Sequence, residues 1–279
     1  MKLYSIETGF FKLDGGAMFG VVPKSIWHKL NPADENNMCS WAMRCLLIED
    51  GQRLILVDTG IGNKQDAKFF SHYFLHGDAT LDKSLAQHGF HRDDITDVFL
   101  THLHFDHCGG AIIRQGEKLV PAFKNATYWS NVSHWEWATQ PNEREKASFL
   151  KENILPIHES GQLQFIEGYD GVAFTDHFHI RFVNGHTDSM MLPQLRYKEH
   201  TILYMADLLP STAHLPIPYV MSYDMFPLTT LTEKKAFLQE ALNKPYILFF
   251  EHDPVNECAT LQLTDKGIRV KDVFKLSEL

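Results

Sequence analysis

Apolar residues fall in short runs bounded by turn formers along most of the chain, the pattern of buried strands. Seven runs predict strands at residues 41–48, 53–57, 97–100, 127–129, 179–183, 201–206 and 246–250. Asp50-Gly51 between the first two marks a tight hairpin. Helical spacing lies between the strands. Leu81, Leu85 and Ala86 share one face, with Gly89 as a stop. Asn142 and Glu145 stand at capping-box spacing and predict a helix through about Glu152. Thr230 with Glu233 predicts another, through about Leu242, which Asn243-Lys244-Pro245 ends. Strands alternating with helices predict an α/β fold, strands inside and helices outside. No repeat and no Gly/Ser/Pro linker interrupts the chain, so one domain over residues 1–279 is expected. The tail beyond Leu263 adds only packing.

Composition narrows the function. The 279 residues are 44% apolar and 22% charged, ordinary for a globular protein that needs no staples. A net charge of −9 and the lack of a basic run argue against nucleic acid. No apolar run approaches the ~20 residues of a spanning helix, so no membrane partner is expected. The first residues, from Met1 to Phe11, form no secretory signal. Cys39, Cys45, Cys108 and Cys258 form no C-x-x-C pair and predict reduced thiols in a cytoplasmic protein.

The chemistry concentrates in Thr101-His102-Leu103-His104-Phe105-Asp106-His107-Cys108-Gly109-Gly110. In an extended segment i and i+2 point the same way, so His102 and His104 can reach one point. Asp106 and His107 lie past the strand end, where Gly109-Gly110 loosen the backbone for a turn. Four ligands spread over two directions suit two divalent metal ions, zinc first, with iron, manganese or cobalt as alternatives. Three more residues each follow a strand: His186, Asp207 and His252. Strand ends at one rim are where α/β folds build sites. The division expected is His102, His104 and His186 on one ion, Asp106, His107 and His252 on the other, and Asp207 bridging. Asp58 also ends an apolar strand and could fix a ligand histidine's tautomer. His177-Phe178-His179 lacks a following Asp-His and is expected to be an ordinary strand edge. His72, His76, His88, His91, His134, His158 and His200 receive the same plain reading, and Cys108 is expected to be packing.

At these residues the sequence resembles the metallo-β-lactamase superfamily. Thr-His-x-His-x-Asp-His-x-Gly-Gly followed by distant His, Asp and His matches its signature. Asp58-Thr59-Gly60 and Gly185-His186-Thr187 match two further elements, so the likeness runs from about residue 41 to 253. The resemblance implies an αββα sandwich, two mixed β-sheets flanked by helices, with a dinuclear metal centre at the sheet edge. It assigns ligand roles to His102, His104, Asp106, His107, His186, Asp207 and His252, and a proton-carrying role to Asp106. Within the superfamily, His104-Phe105-Asp106-His107 and Phe249-Phe250 before His252-Asp253 look like the lactonase branch, which includes methyl parathion hydrolase-like enzymes. Some of those lactonases carry a tyrosine three residues after the bridging aspartate; here Pro210 stands there.

A hydroxide bridging two divalent cations would attack an ester or lactone carbonyl, with Asp106 and Asp207 as the catalytic carboxylates. The substrate expected is a small ester or lactone, an N-acyl homoserine lactone first, which would make the chain quorum-quenching. The alternatives are an organophosphate or aryl ester hydrolase of the methyl parathion hydrolase type, and a non-catalytic metal-binding protein of the same fold. Met18, Phe19, Phe69, Phe70, His214, Tyr219 and Tyr223 are candidates for the pocket, and plain core is the competing role for each. A homodimer is common among lactonase relatives.

Overall fold

The computed structural model describes residues 1–244 and 246–279. In chain order the elements are β1 (Lys2–Asp14), α1 (Gly15–Phe19), α2 (Lys24–Trp27), β2 (Met38–Asp50), β3 (Arg53–Val57), α3 (Ala67–Ser71), α4 (Leu81–Gln87) and β4 (Asp97–Phe99). Then come α5 (Phe105–Cys108), β5 (Ile112–Gln115), β6 (Lys118–Pro121), β7 (Thr127–Ser130), α6 (Val132–Thr139), α7 (Lys151–Glu159) and β8 (Leu163–Phe165). The chain ends with β9 (Val172–Ala173), β10 (Phe178–Val183), β11 (Met190–Tyr197), β12 (His200–Tyr204), α8 (Pro227–Asn243), β13 (Tyr246–Phe249), β14 (Cys258–Thr264) and β15 (Gly267–Phe274). Two compact units result: Met1–Gly9 with Met43–Gly168, and Phe10–Ala42 with Tyr169–Leu279.

The sheet of the first unit runs β1-β2-β3-β4-β7-β8. β2 and β3 are antiparallel across the hairpin at Gly51, whose φ of +65° suits glycine. β3, β4, β7 and β8 are parallel neighbours. Parallel pairing needs long crossovers, and α3, α4, α6 and α7 lie in them. Leu54 to Val57 and all of β4 are buried, as central strands covered on both faces must be. Leu54, Leu56, Val98 and Leu100 join Ile6, Leu47, Leu85 and Tyr128 in one core, at about 1.5–3 kcal/mol per fully buried large side chain. Because these strands are parallel, Asp58 and the Thr101–His104 segment leave the sheet at the same rim.

The sheet of the second unit runs β15-β14-β13-β12-β11-β10-β9. β12 and β13 are parallel, and β10 shares their direction because β11 is antiparallel to both of its neighbours. His186, Asp207 and His252 therefore all follow the C-terminal ends of strands that point one way. Phe237, Leu238 and Ala241 are the buried face of α8, which packs on β13 and β14.

Both sheets are mixed, and the α/β class agrees with the alternation in the sequence. Differences are local. The strand expected over 201–206 stops at Tyr204, because Ala206 adopts φ +38° and opens a 3-10 turn. No helix starts at Asn142; its Oδ1 instead takes the amides of Arg144 and Glu145, and α7 begins at Lys151. α8 starts earlier than expected, with Pro227 at its first position. Pro245, expected to end it, lies outside the described residues. The tail beyond Leu263 belongs to the β14–β15 hairpin.

Candidate metal centre

Four of the seven expected ligands lie in the first unit. His102 Nε2 and His104 Nδ1 face each other at 3.0 Å. α5 begins directly after His104, so its first turn swings Asp106 and His107 out of line with the strand. Asp106 Oδ2 stands 3.7 Å from His107 Nε2. The opposite nitrogen of each histidine is engaged. His107 Nδ1–H donates to Asp58 Oδ2 at 3.1 Å, and His104 Nε2–H to Glu145 Oε1 at 2.9 Å. Asp58 also accepts the Thr101 amide at 2.8 Å and the Thr101 hydroxyl at 2.7 Å. With its proton given to Asp58, Thr101 Oγ1 accepts His102 Nδ1–H at 3.1 Å. Asp58 makes these bonds from φ +56°, a strained conformation at a strand end.

Gly109 and Gly110 close the loop, but not by loosening it. Gly109 has an ordinary helical φ of −60°. A Cβ there would lie 2.2 Å from the Ile61 carbonyl oxygen, and one on Gly110 2.2 Å from that of Thr59. Close backbone approach is what requires glycine.

The other three ligands lie in the second unit, and one carboxylate joins them. Asp207 Oδ2 stands 3.1 Å from His186 Nε2, and its Oδ1 3.0 Å from His252 Nε2. His186 Nδ1–H donates to Asp224 Oδ1 at 2.8 Å, and His252 Nδ1–H to the Ala42 carbonyl at 2.8 Å.

A neutral imidazole donates from one nitrogen and accepts at the other. In all five histidines the network makes the outer nitrogen the donor. Each inner nitrogen then presents a lone pair. Two lone pairs at 3.0 Å, and lone pairs at 3.0 and 3.1 Å from carboxylate oxygens, repel one another without a cation between them. Imidazoles backed by carboxylates and carbonyls are the donor set of zinc and similar divalent ions. The residues fit such ions.

Other candidates sort differently. Cys108 is buried, donates to the Leu103 carbonyl at 3.2 Å, and has its pKa pushed up to about 12 by burial. A thiol so held is no ligand. His177 is exposed and His179 half-buried in β10. His134 is buried on α6, and its Nε2 accepts the Leu103 amide at 2.8 Å, holding the backbone between two ligands. Glu145, Asp224 and His134 are thus site residues that sequence reasoning missed. Of the pocket candidates, Met18, Phe19 and His214 are buried together in the second unit. His214 stacks on Phe19 at 4.5 Å, and its nitrogens meet Ser211 Oγ and the Met18 carbonyl. Burial lowers its pKa to about 3, so it is neutral. Tyr219 stands edge-on to Phe19, and Tyr223 is 37% exposed. In the first unit Phe69 contacts Phe70, Tyr73 and Phe105, at 5.5, 5.0 and 5.5 Å between ring centres.

A family model described as the metallo-beta-lactamase superfamily matches residues 44–252. N-acyl homoserine lactonase AiiA of Bacillus thuringiensis subsp. kurstaki is 28% identical over 165 residues. That match spans 56% of this chain and 56% of the relative, little more than half of each. A probable metal-dependent hydrolase from Staphylococcus aureus is 27% identical, with a TM-score of 0.86 over 98% of this chain and 96% of that one. AidC, a dizinc quorum-quenching lactonase in complex with a product, N-hexanoyl-L-homoserine, is 22% identical. Its TM-score is 0.79, over 96% and 93% of the two chains, and at that identity the likeness speaks for the fold.

Proposed function

The chain belongs to the metallo-β-lactamase superfamily, and on that footing we propose that it is a dinuclear metal-dependent hydrolase opening a lactone or ester bond. The substrate class proposed is an N-acyl homoserine lactone. One observation carries the reading: Asp207 turns one oxygen to His186 and the other to His252, the posture of a carboxylate shared by two ions. His102, His104 and His186 are assigned to one ion, Asp106, His107 and His252 to the other, and Asp207 is the carboxylate that would serve both. The AiiA-type relatives support the choice of a lactone. A single domain over residues 1–279 is the accompanying reading, supported by a family match that runs through both units.

Two divalent cations held there would bring the deprotonation of water near neutral pH and polarise a substrate carbonyl. The chain's own residues supply the rest. Asp58, Glu145 and Asp224 orient the imidazoles that meet the cations. Asp106, 8% exposed, is the carboxylate proposed to carry a proton to the departing alkoxide. Phe69, Phe70, Tyr73 and Phe105 of the first unit form an aromatic cluster suited to an apolar acyl group. Tyr73 keeps its proton, because burial and then the charge of Asp106 push its pKa up to about 12.

The test is a substrate panel on the metal-loaded protein: γ-lactones with short and long acyl tails, aryl esters, aryl phosphotriesters and a cephalosporin. Lactones should turn over best. Preference for phosphotriesters would move the assignment to the methyl parathion hydrolase type, the reading that the proline-rich segment from His214 to Tyr223 favours. Two bound ions with no turnover would favour a binding protein. Asp207→Ala should lose metal and at least about a hundredfold in turnover; wild-type rates in that variant would sink the mechanism.

A further inference from the structure

α8 carries two adjacent charged residues whose partners lie outside the helix. Thr230 and Glu233 stand at capping-box spacing, yet Pro227 opens the helix and Glu233 turns elsewhere. Its Oε1 accepts the Asn184 amide at 2.7 Å and its Oε2 the Gly185 amide at 3.0 Å, the two N–H groups just before His186. The helix approaches so closely that a Cβ on Gly185 would lie 2.3 Å from Thr230 Oγ1. The next residue, Lys234, is 1% exposed. Its Nζ donates to the carbonyls of Pro216, Ile217 and Tyr219 at 2.9, 3.3 and 2.8 Å, one for each ammonium proton. Those carbonyls begin the segment that ends at Asp224, the acceptor of His186 Nδ1–H. The two residues after Asp224 return two bonds: the Met225 amide to the His186 carbonyl at 3.0 Å and the Phe226 amide to that of Gly185 at 2.8 Å. His186 is held through the backbone just before it by Glu233, and through its hydrogen-bond partner by Lys234.

Burying an ammonium against backbone carbonyls carries a desolvation cost that an apolar side chain of the same size avoids. A lysine with every proton committed to one loop is better explained by the conformation it imposes on that loop. Resting on the ligand role given to His186 above, we propose that Glu233 and Lys234 are positioning residues that set the approach of His186 to its cation, Glu233 through the 184–185 backbone and Lys234 through Asp224.

Glu233→Gln and Lys234→Met test this, with exposed Lys235→Met as control. Amide hydrogen exchange is measured on the metal-free proteins, and the loss of each ion to a chelator on the loaded ones. In Glu233→Gln, one of the two amides meets an NH2 group, so exchange at Asn184 and Gly185 should quicken by about tenfold or more. In Lys234→Met the quickening should fall on Tyr219, Asp224 and Met225. In both, one of the two ions should leave faster while the other keeps its wild-type rate, and the control should match wild type. Unchanged exchange, or both ions leaving faster together as general loosening would cause, overturns the proposal. Glu233→Gln, nearly isosteric, decides the matter if Lys234→Met does not fold. Wild-type protein that holds no metal at all would instead overturn the function proposed above.

Discussion

Each proposed ligand histidine is fixed by what its other nitrogen touches, and for all but His102, which meets its neighbour Thr101, that partner is far away in the chain. Glu145 reaches His104 across 41 positions and also takes the Trp137 indole N–H at 2.6 Å. Glu145→Ala would leave both donors without this acceptor and free the buried His104 imidazole to turn. Metal affinity should fall about 10–100-fold, read by competition with a chromophoric chelator; unaltered affinity would mean that His104 does not bind through Nδ1. Cys108→Ser should keep full metal content, because a thiol with a pKa near 12 supplies no thiolate at working pH. The proposed ligands are the residues that local pattern marks: four fall in the Thr101–Gly110 motif, and His186, Asp207 and His252 each follow an apolar strand. Their supports are not so marked. Glu145 and Glu233 both sit three residues after an Asn or Thr, so local spacing reads them as helix caps, whereas each spends its carboxylate on a distant partner. Asp224 lies in a loop 38 positions from His186, with no local pattern to mark it.

Elements follow the same division between local and distant causes. β3, β4 and β13 were readable because strands buried on both faces are continuous apolar runs. β1 is half-buried along most of its length, and β11 carries Pro193 in its interior, which argues against a strand until its pairing with β10 is seen. The glycines after His107 were expected for turning freedom, yet the neighbouring backbone is what requires them. Gly110→Ala should cost about 1–3 kcal/mol and lower metal content, since the Thr59 segment must move. Gly89→Ala has φ +81° but no neighbour within 4 Å, so it should cost only its backbone strain, about 1 kcal/mol, and leave metal binding intact. Thermal melts with metal analysis separate the two; equal losses would refute the close-approach account. At the far end of α8, burial alone would raise the Glu240 pKa, but Lys244, Tyr246 and Arg181 outweigh it and hold it near 2, below its ordinary 4.5. The stability this brings is present above about pH 4.5 and is lost as pH falls through 2. Glu240→Gln should flatten acid unfolding in that window, and an unchanged acid limb would remove Glu240 from the account.

At the scale of the whole molecule, chain order hides the two units, because each takes discontinuous segments and no linker composition marks a crossing. Net charge, by contrast, is plain in the sequence and bears on turnover. A chain of −9 has no long-range attraction or repulsion for an uncharged lactone, but it repels the carboxylate that hydrolysis produces. Cations at the proposed site would pull the same carboxylate back, so product release in the proposed reaction would depend on the balance of a short-range attraction and a long-range repulsion. Salt acts mainly on the second, since screening at 0.1 M sets in beyond about 10 Å. The Michaelis constant for a neutral lactone should therefore be flat with ionic strength, whereas inhibition by the ring-opened acid should tighten as salt rises. Initial rates across a salt series, with and without added product, measure both slopes. Weaker product inhibition at high salt would mean that the cations, and not the protein's net charge, set the field felt by the departing acid.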